Sequence, residues 1–232
     1  MSSIQGTPTA VVTGGSAGLG LALTSALAQD GWRVVTDARH GDELTAATGA
    51  LPGVTAIAGD VRDHRHQERL AEAVRRHGQL DLLVHSASEL GPMLPLGEVA
   101  PEVVADVLAT NLLAPLALTQ LLLPLLQASG GALVGISSDA AVEHYPTWGA
   151  YGASKAALDH LILTLAAESG LRGYAVDPGD LRTAMHQRAF PGEDISDRPL
   201  PETVVPHLIP LITGDHPSGR YRVADLVAEM AR

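Results

Sequence analysis

Residues 9–23, TAVVTGGSAGLGLAL, run a β-branched segment into the glycines Gly14, Gly15, Gly18 and Gly20 and out into an apolar segment of helical composition. Strand, glycines and helix in that order suit a bound dinucleotide, whose pyrophosphate needs close backbone approach and the free N–H groups of a helix amino terminus. The spacing Thr13-Gly14-x-x-x-Gly18-x-Gly20 differs from the G-x-G-x-x-G fingerprint. Glycine turns also join strands to helices for packing alone, so the loop by itself leaves both readings open.

Outward from this loop, short β-branched runs alternate with longer alanine- and leucine-rich stretches: RVVTDAR, LDLLVHSAS, GALVGISS and RGYAVDPG are the later strand candidates. Such alternation predicts an α/β fold, a doubly wound, Rossmann-like parallel sheet with helices on both faces. No linker-like composition divides the chain, so residues 1–232 are expected to form one domain. The acidic, turn-rich segment FPGEDISDRPLPE, 190–202, stands apart. A substrate loop is expected over about 184–203, with an ordinary surface connection as the alternative.

Composition narrows the function classes. The 232 residues are 46% hydrophobic and 18% charged, sufficient for one buried core. There is no cysteine, which excludes disulfide and thiolate chemistry and accords with a cytoplasmic location. The amino terminus, MSSIQGTP, lacks the basic and apolar regions of a secretion signal. A formal charge of −11 disfavours nucleic acid. The apolar run Leu112 to Gln127 is broken by Pro115, Thr119, Gln120 and Pro124 and reads as a buried helix, not a membrane span. His64 and His66, two residues apart, would not share a helix face, and no metal site is expected.

Tyr151 and Lys155, the only lysine, fall at i and i+4 in AYGASKAAL and so share one helix face. Lowering a phenol from pKa near 10 to about 7 takes ~4 kcal/mol, which an ammonium ~4 Å away supplies at an effective dielectric of about 20. Upstream, GALVGISSDA reads as a strand ending at Ser137 and Ser138, at the sheet edge where ligands bind.

TGGSAGLG resembles the cofactor loop of the short-chain dehydrogenase/reductase family, and further motifs of that family follow in order from about residue 9 to about 183. The resemblance implies that Gly14, Ser16, Gly18, Leu19 and Gly20 hold a nicotinamide dinucleotide, with Asp60 and Val61 at its adenine and Ser86 and Ala87 beside it. Ala38 stands where NAD-dependent relatives carry an acidic residue, and Arg39 where NADP-dependent ones carry a basic side chain, which favours NADP(H) over NAD(H). The alternative is that Arg39 pairs with Asp37 on the same face of the strand. Ser138, thirteen residues before Tyr151, matches the family's catalytic serine, and Asn111 its catalytic asparagine, completing a tetrad with Tyr151 and Lys155. Pro178, Gly179 and Thr183 match the residues at the nicotinamide, where Tyr151 and Lys155 also meet the cofactor.

Two departures stand out. The family's Asn-Asn-Ala-Gly is His85-Ser86-Ala87-Ser88 here, and the terminal PSGRY lacks the following Asp-Gly-Gly. Substrate-facing candidates are Glu89 to Met93, Glu143, His144, Trp148 and the segment from Met185 to Phe190. The implied activity is NADPH-dependent reduction of a ketone or aldehyde, or the reverse alcohol oxidation, with Tyr151 as acid and base. The rivals are a non-catalytic nucleotide-sensing or protein-binding module, and a reductase of a C=N or C=C bond. Helices starting near Glu98 and Tyr151 are expected to pair subunits as a homodimer or homotetramer.

Overall fold

The computed structural model describes residues 6–230; Met1 to Gln5, part of the stretch read as lacking a secretion signal, lie outside the described residues. Seven parallel strands form one sheet in the order β3-β2-β1-β4-β5-β6-β7. They are β1 (Thr9–Val12), β2 (Arg33–Ala38), β3 (Val54–Ala58), β4 (Leu82–His85), β5 (Ala132–Ile136), β6 (Arg172–Asp177) and β7 (Gly219–Arg222). Between them run α1 (Gly18–Gln29), α2 (Gly41–Thr48), α3 (His64–Arg75), α4 (Pro101–Leu108), α5 (Ala114–Ala128), α6 (Gly149–Ser169), α7 (Ala184–Ala189) and α8 (Pro201–Thr213), with α9 (Val223–Met230) after the last strand.

Central strands buried on both faces need apolar residues at every position. Thus Ala10 and Val12 turn toward one face, with Leu23 and Leu27 of α1 and Leu208 and Leu211 of α8. Val11 turns to the other, with Leu70 of α3, Leu118 and Leu122 of α5, and Leu158 and Ile162 of α6. Each fully buried leucine contributes roughly 1.5–3 kcal/mol. The strand order reverses where β4 pairs with the far side of β1, which opens a crevice at the carboxyl ends of these strands.

The apolar run read as a short buried helix is part of a longer continuous element. A π turn, Ala109–Leu113, joins α4 to α5, and the whole run Pro101–Ala128 is 28 residues, long and apolar enough by composition to cross a bilayer. It buries only one face, with Leu118, Leu122 and Leu126 fully enclosed by the core. At the π turn the Ala114 N–H bonds back to Ala109 O, five residues earlier, and Pro115 has no N–H with which to restore the tighter ladder.

The expected loop over 184–203 is partly helical. Thr183 Oγ1 accepts from His186 N at 3.1 Å and caps α7, so only the stretch between Phe190 and Leu200 is irregular.

Candidate active site

One cavity of about 560 Å³ lies at the crevice and gathers residues from the ends of β2 and β5 and from the segments that follow β1, β3, β4 and β6. Gly14, Ser16, Gly18, Leu19, Gly20, Arg39, Asp60, Val61, Ser86, Ala87, Pro178, Gly179 and Thr183 all line it, together with Ser138, Tyr151 and Lys155.

Its floor at one end is the glycine loop. Gly14 (φ 77°) and Gly18 (φ 57°) adopt left-handed backbone that a side chain would strain. A Cβ on Gly14 would also lie 2.9 Å from Ala87 Cα, and one on Gly20 would collide with Gly14 O. The glycines therefore keep open a cradle of backbone at the start of α1, which fits a pyrophosphate.

A chain of buried side chains, with no local sequence pattern to announce it, holds this loop. Asp37 Oδ1 accepts from Gly14 N at 2.9 Å, while Oδ2 lies 2.9 Å from His66 Nε2. Arg69 Nη2, a donor only, sits 3.0 Å from His66 Nδ1. That fixes Nδ1 as the acceptor and Nε2 as the protonated nitrogen donating to Asp37. The alternative pairing of Arg39 with Asp37 is thereby excluded: Asp37 is turned inward and 2% exposed. The Arg39 side chain is 60% exposed on the cavity wall, 3.7 Å from Glu89.

On the cavity wall Asp60 is gripped by Arg62 at 2.7 Å, and this hydrogen bond holds the carboxyl below the usual carboxylate range. Where the family pattern has a strand-tying asparagine, Thr13 does related work here. Its Oγ1 accepts from both Ser86 N and Ala87 N at 3.0 Å. His85 is enclosed against Thr119 Oγ1 at 2.8 Å, and burial pushes it down to about 3, so it stays neutral.

Beneath the cavity Asn111 sits in the π turn, 1% exposed. Its Oδ1 accepts from Glu89 N at 2.7 Å and from Ser88 Oγ at 3.2 Å. Its Nδ2 donates to Glu89 O and to Ser154 Oγ, each at 2.8 Å. The departure at Ser88 thus adds a hydroxyl between the asparagine and the cavity.

Lys155 Nζ donates to Ile136 O at 2.7 Å and lies 5.5 Å from the centre of the Tyr151 ring. Burial, more than the lysine on the shared face, acts on the phenol. Burial pushes Tyr151 up to about 12, opposed by hydrogen bonding with Ser138 and Ser88, and burial pushes Lys155 down to about 8. The physical reason is that the phenol is 8% exposed and the ammonium is turned to a backbone carbonyl. Ser138 Oγ, at the tip of β5, donates to Asp139 Oδ1 at 3.0 Å and accepts from Ala140 N at 3.2 Å.

The open end of the cavity is aromatic. Trp148 meets Tyr151 edge-on at 5.8 Å and Phe190 at 5.9 Å, with Leu90, Met93 and Met185 in the same cluster. Trp148 follows Thr147, a β-branched residue at φ 71°, so backbone strain is concentrated at this rim. Phe190 backs Trp148 and does not itself line the cavity, whereas Met185, His186, Arg188 and Ala189 of α7 do. Glu143 and His144, expected to face substrate, are exposed and absent from the wall. They follow the 3₁₀ turn Asp139–Ala141, where the chain moves away over the surface.

Comparison with known proteins agrees with this geometry. Residues 8–194 match the family model for short chain dehydrogenases. An uncharacterized Escherichia coli K12 oxidoreductase, YciK, is 33% identical over 216 residues, 88% of this chain and 86% of its own. A tropinone reductase homolog of Arabidopsis thaliana is 34% identical over 187 residues, covering 76% of this chain and 70% of that one. A crystal structure of a short chain dehydrogenase from Escherichia coli CFT073, complexed with NADPH, superposes with a TM-score of 0.85 at 32% identity, over 94% of this chain and 97% of that one. The chain belongs to the short-chain dehydrogenase/reductase family and is an NAD(P)-dependent oxidoreductase of that type.

Proposed function

We propose that the enzyme reduces the carbonyl of an apolar ketone or aldehyde with NADPH, or runs the reverse alcohol oxidation. The observation that carries this reading is the placement of Ser138, Tyr151 and Lys155 on the wall of the same cavity as the glycine loop and Arg39. The glycine loop would take the pyrophosphate, Arg39 a 2′-phosphate, and Lys155 with the Pro178-Gly179 turn the nicotinamide riboside. When bound, the nicotinamide supplies the hydride.

The chain's own residues then handle the carbonyl oxygen. Burial favours the protonated phenol, so Tyr151 holds the proton that reduction of a carbonyl consumes. Tyr151 delivers that proton, and the Ser138 hydroxyl donates a hydrogen bond as charge develops on the oxygen. Asn111, tied to Ser88 and Ser154, positions the relay that reloads Tyr151 through Lys155. The Trp148 and Met185 wall excludes water and favours an apolar substrate.

NADPH is favoured over NADH because Arg39, 60% exposed and held among the described residues only by a 3.7 Å surface pairing with Glu89, can turn to a phosphate, Ala38 offers no carboxylate, and Asp37 is committed to Gly14 and His66. The NADPH-bound relative supports the same choice. A homodimer or homotetramer is proposed from the apolar side chains that α4 and the π turn leave exposed, Val103 at 37% and Leu113 at 56%, and light scattering reads it out. A cytoplasmic location accords with the absence of cysteine.

A panel of aliphatic, aromatic and polycyclic ketones and aldehydes, followed by NADPH absorbance with NADH as control, tests the reading. Carbonyl-dependent oxidation of NADPH is expected, faster than with NADH. Tight NADPH binding with no turnover on any carbonyl would instead favour the non-catalytic module. Turnover only on imines or enones would favour the C=N or C=C reductase.

A further inference from the structure

We infer that Arg220 is a positioning residue for the reaction, clamping the backbone of Ser138 and the turn after Asp177 to α6 one helical turn beyond Lys155. The inference rests on the proposed function. Arg220 enters from β7, within the terminal PSGRY whose continuation departs from the family pattern.

The guanidinium makes three separate contacts. Its Nη2 donates to Ser138 O at 2.8 Å and lies 3.3 Å from Asp177 Oδ2, and its Nε donates to Asp159 Oδ2 at 3.0 Å. All three side chains are largely enclosed, at 22%, 12% and 5% exposure for Arg220, Asp159 and Asp177. In that setting hydrogen-bonded ion pairs hold geometry more firmly than at the surface.

Each acceptor leads into the site. Asp177 Oδ1 accepts from Gly179 N at 3.0 Å, so the same carboxylate sets the Pro178-Gly179 turn. Asp159 lies four residues after Lys155 on α6, and its charge draws the Lys155 ammonium back up against the effect of burial. Ser138 O is held by Arg220 while Ile136 O, two residues back, is held by Lys155. The catalytic serine's strand end is thus fixed by two cations. A planar fork can serve acceptors on three elements at once, and a lysine at 220 could not.

The test compares Arg220→Met, Arg220→Lys and Asp159→Asn with wild type and Tyr151→Phe. The readouts are kcat and KM for a reduced carbonyl, NADPH Kd by fluorescence, and hydrogen exchange of residues 137–141 and 177–180. Displacing a catalytic group by about 1 Å can cost on the order of 100-fold, so Arg220→Met is expected to lose about that in kcat. NADPH Kd should rise by less than about tenfold, well short of the fall in kcat, because only the Pro178-Gly179 contact with the cofactor is loosened. Arg220→Lys should recover part of kcat and is the variant to read if Arg220→Met does not fold. Exchange should rise at Ser137, Ala141 and Gly179, whose amides donate within the clamped segments. Should Arg220→Met keep kcat within about threefold while Tyr151→Phe is inactive, the positioning role is overturned. Unchanged exchange in the two segments overturns it as well, even if wild type reduces no carbonyl and the proposed function itself fails.

Discussion

Lys155 is the chain's only lysine, so no other side-chain amine titrates with it. Burial pushes its pKa from 10.5 down to about 8, so the folded state holds the ammonium at a cost of ~3 kcal/mol at neutral pH. Below pH 8 both folded and unfolded chains carry the proton, and the whole penalty is present. As pH rises through 8 the folded state releases its proton first, and stability climbs until the unfolded chain also loses its proton near 10.5. Between about pH 7.5 and 9.5 this gain amounts to ~2 kcal/mol. Lys155→Met removes it. The substitution also leaves Ile136 O without its donor, a penalty of about 1–3 kcal/mol that does not change with pH. Urea unfolding of the cofactor-free proteins at both pH values, read by tryptophan fluorescence, gives the difference directly. The unfolding free energy of wild type relative to Lys155→Met should rise by ~2 kcal/mol from the lower pH to the higher. A difference constant to within about 0.5 kcal/mol would refute the buried, pKa-lowered ammonium.

Two further substitutions probe the cofactor end. Arg39→Ala removes a charge-assisted bidentate contact and should raise KM for NADPH about 10- to 100-fold while leaving KM for NADH nearly unchanged, in parallel steady-state assays. Gly20→Ala forces a methyl group against Gly14 O. It should weaken both dinucleotides alike by on the order of 100-fold in fluorescence titration, since the loop itself must move.

The features legible in the sequence are those whose partners lie close along the chain or repeat a known spacing. The glycines at 14 and 18 announce a strand-to-helix loop because only glycine tolerates that backbone, and Gly20 because a side chain there would meet Gly14 O. Tyr151 and Lys155 announce a shared helix face by their i and i+4 spacing. What stayed hidden depends on contacts across the fold. Asp37 and His66 are 29 residues apart, and neither has a local pattern to suggest a buried pair behind the glycine loop. Arg220 reaches Ser138 across 82 residues, from a terminal strand whose continuation departs from the family pattern. Spacing fixes the face that Lys155 shares with Tyr151, whereas the burial that acts most strongly on the phenol depends on the whole fold. Glu143 and His144 have no local pattern that tells a cavity wall from a surface turn, and the chain turns them to solvent.

The central claim, that Tyr151 donates the proton to a carbonyl oxygen reduced at NADPH, is tested most directly by the single-turnover rate of carbonyl reduction in Tyr151→Phe against wild type. Both proteins are first matched for NADPH binding by fluorescence. General acid catalysis contributes about 100- to 10,000-fold, so the variant is expected to lose at least about 100-fold in rate with NADPH affinity retained. A variant that binds NADPH and reduces the carbonyl within about threefold of the wild-type rate would contradict the account.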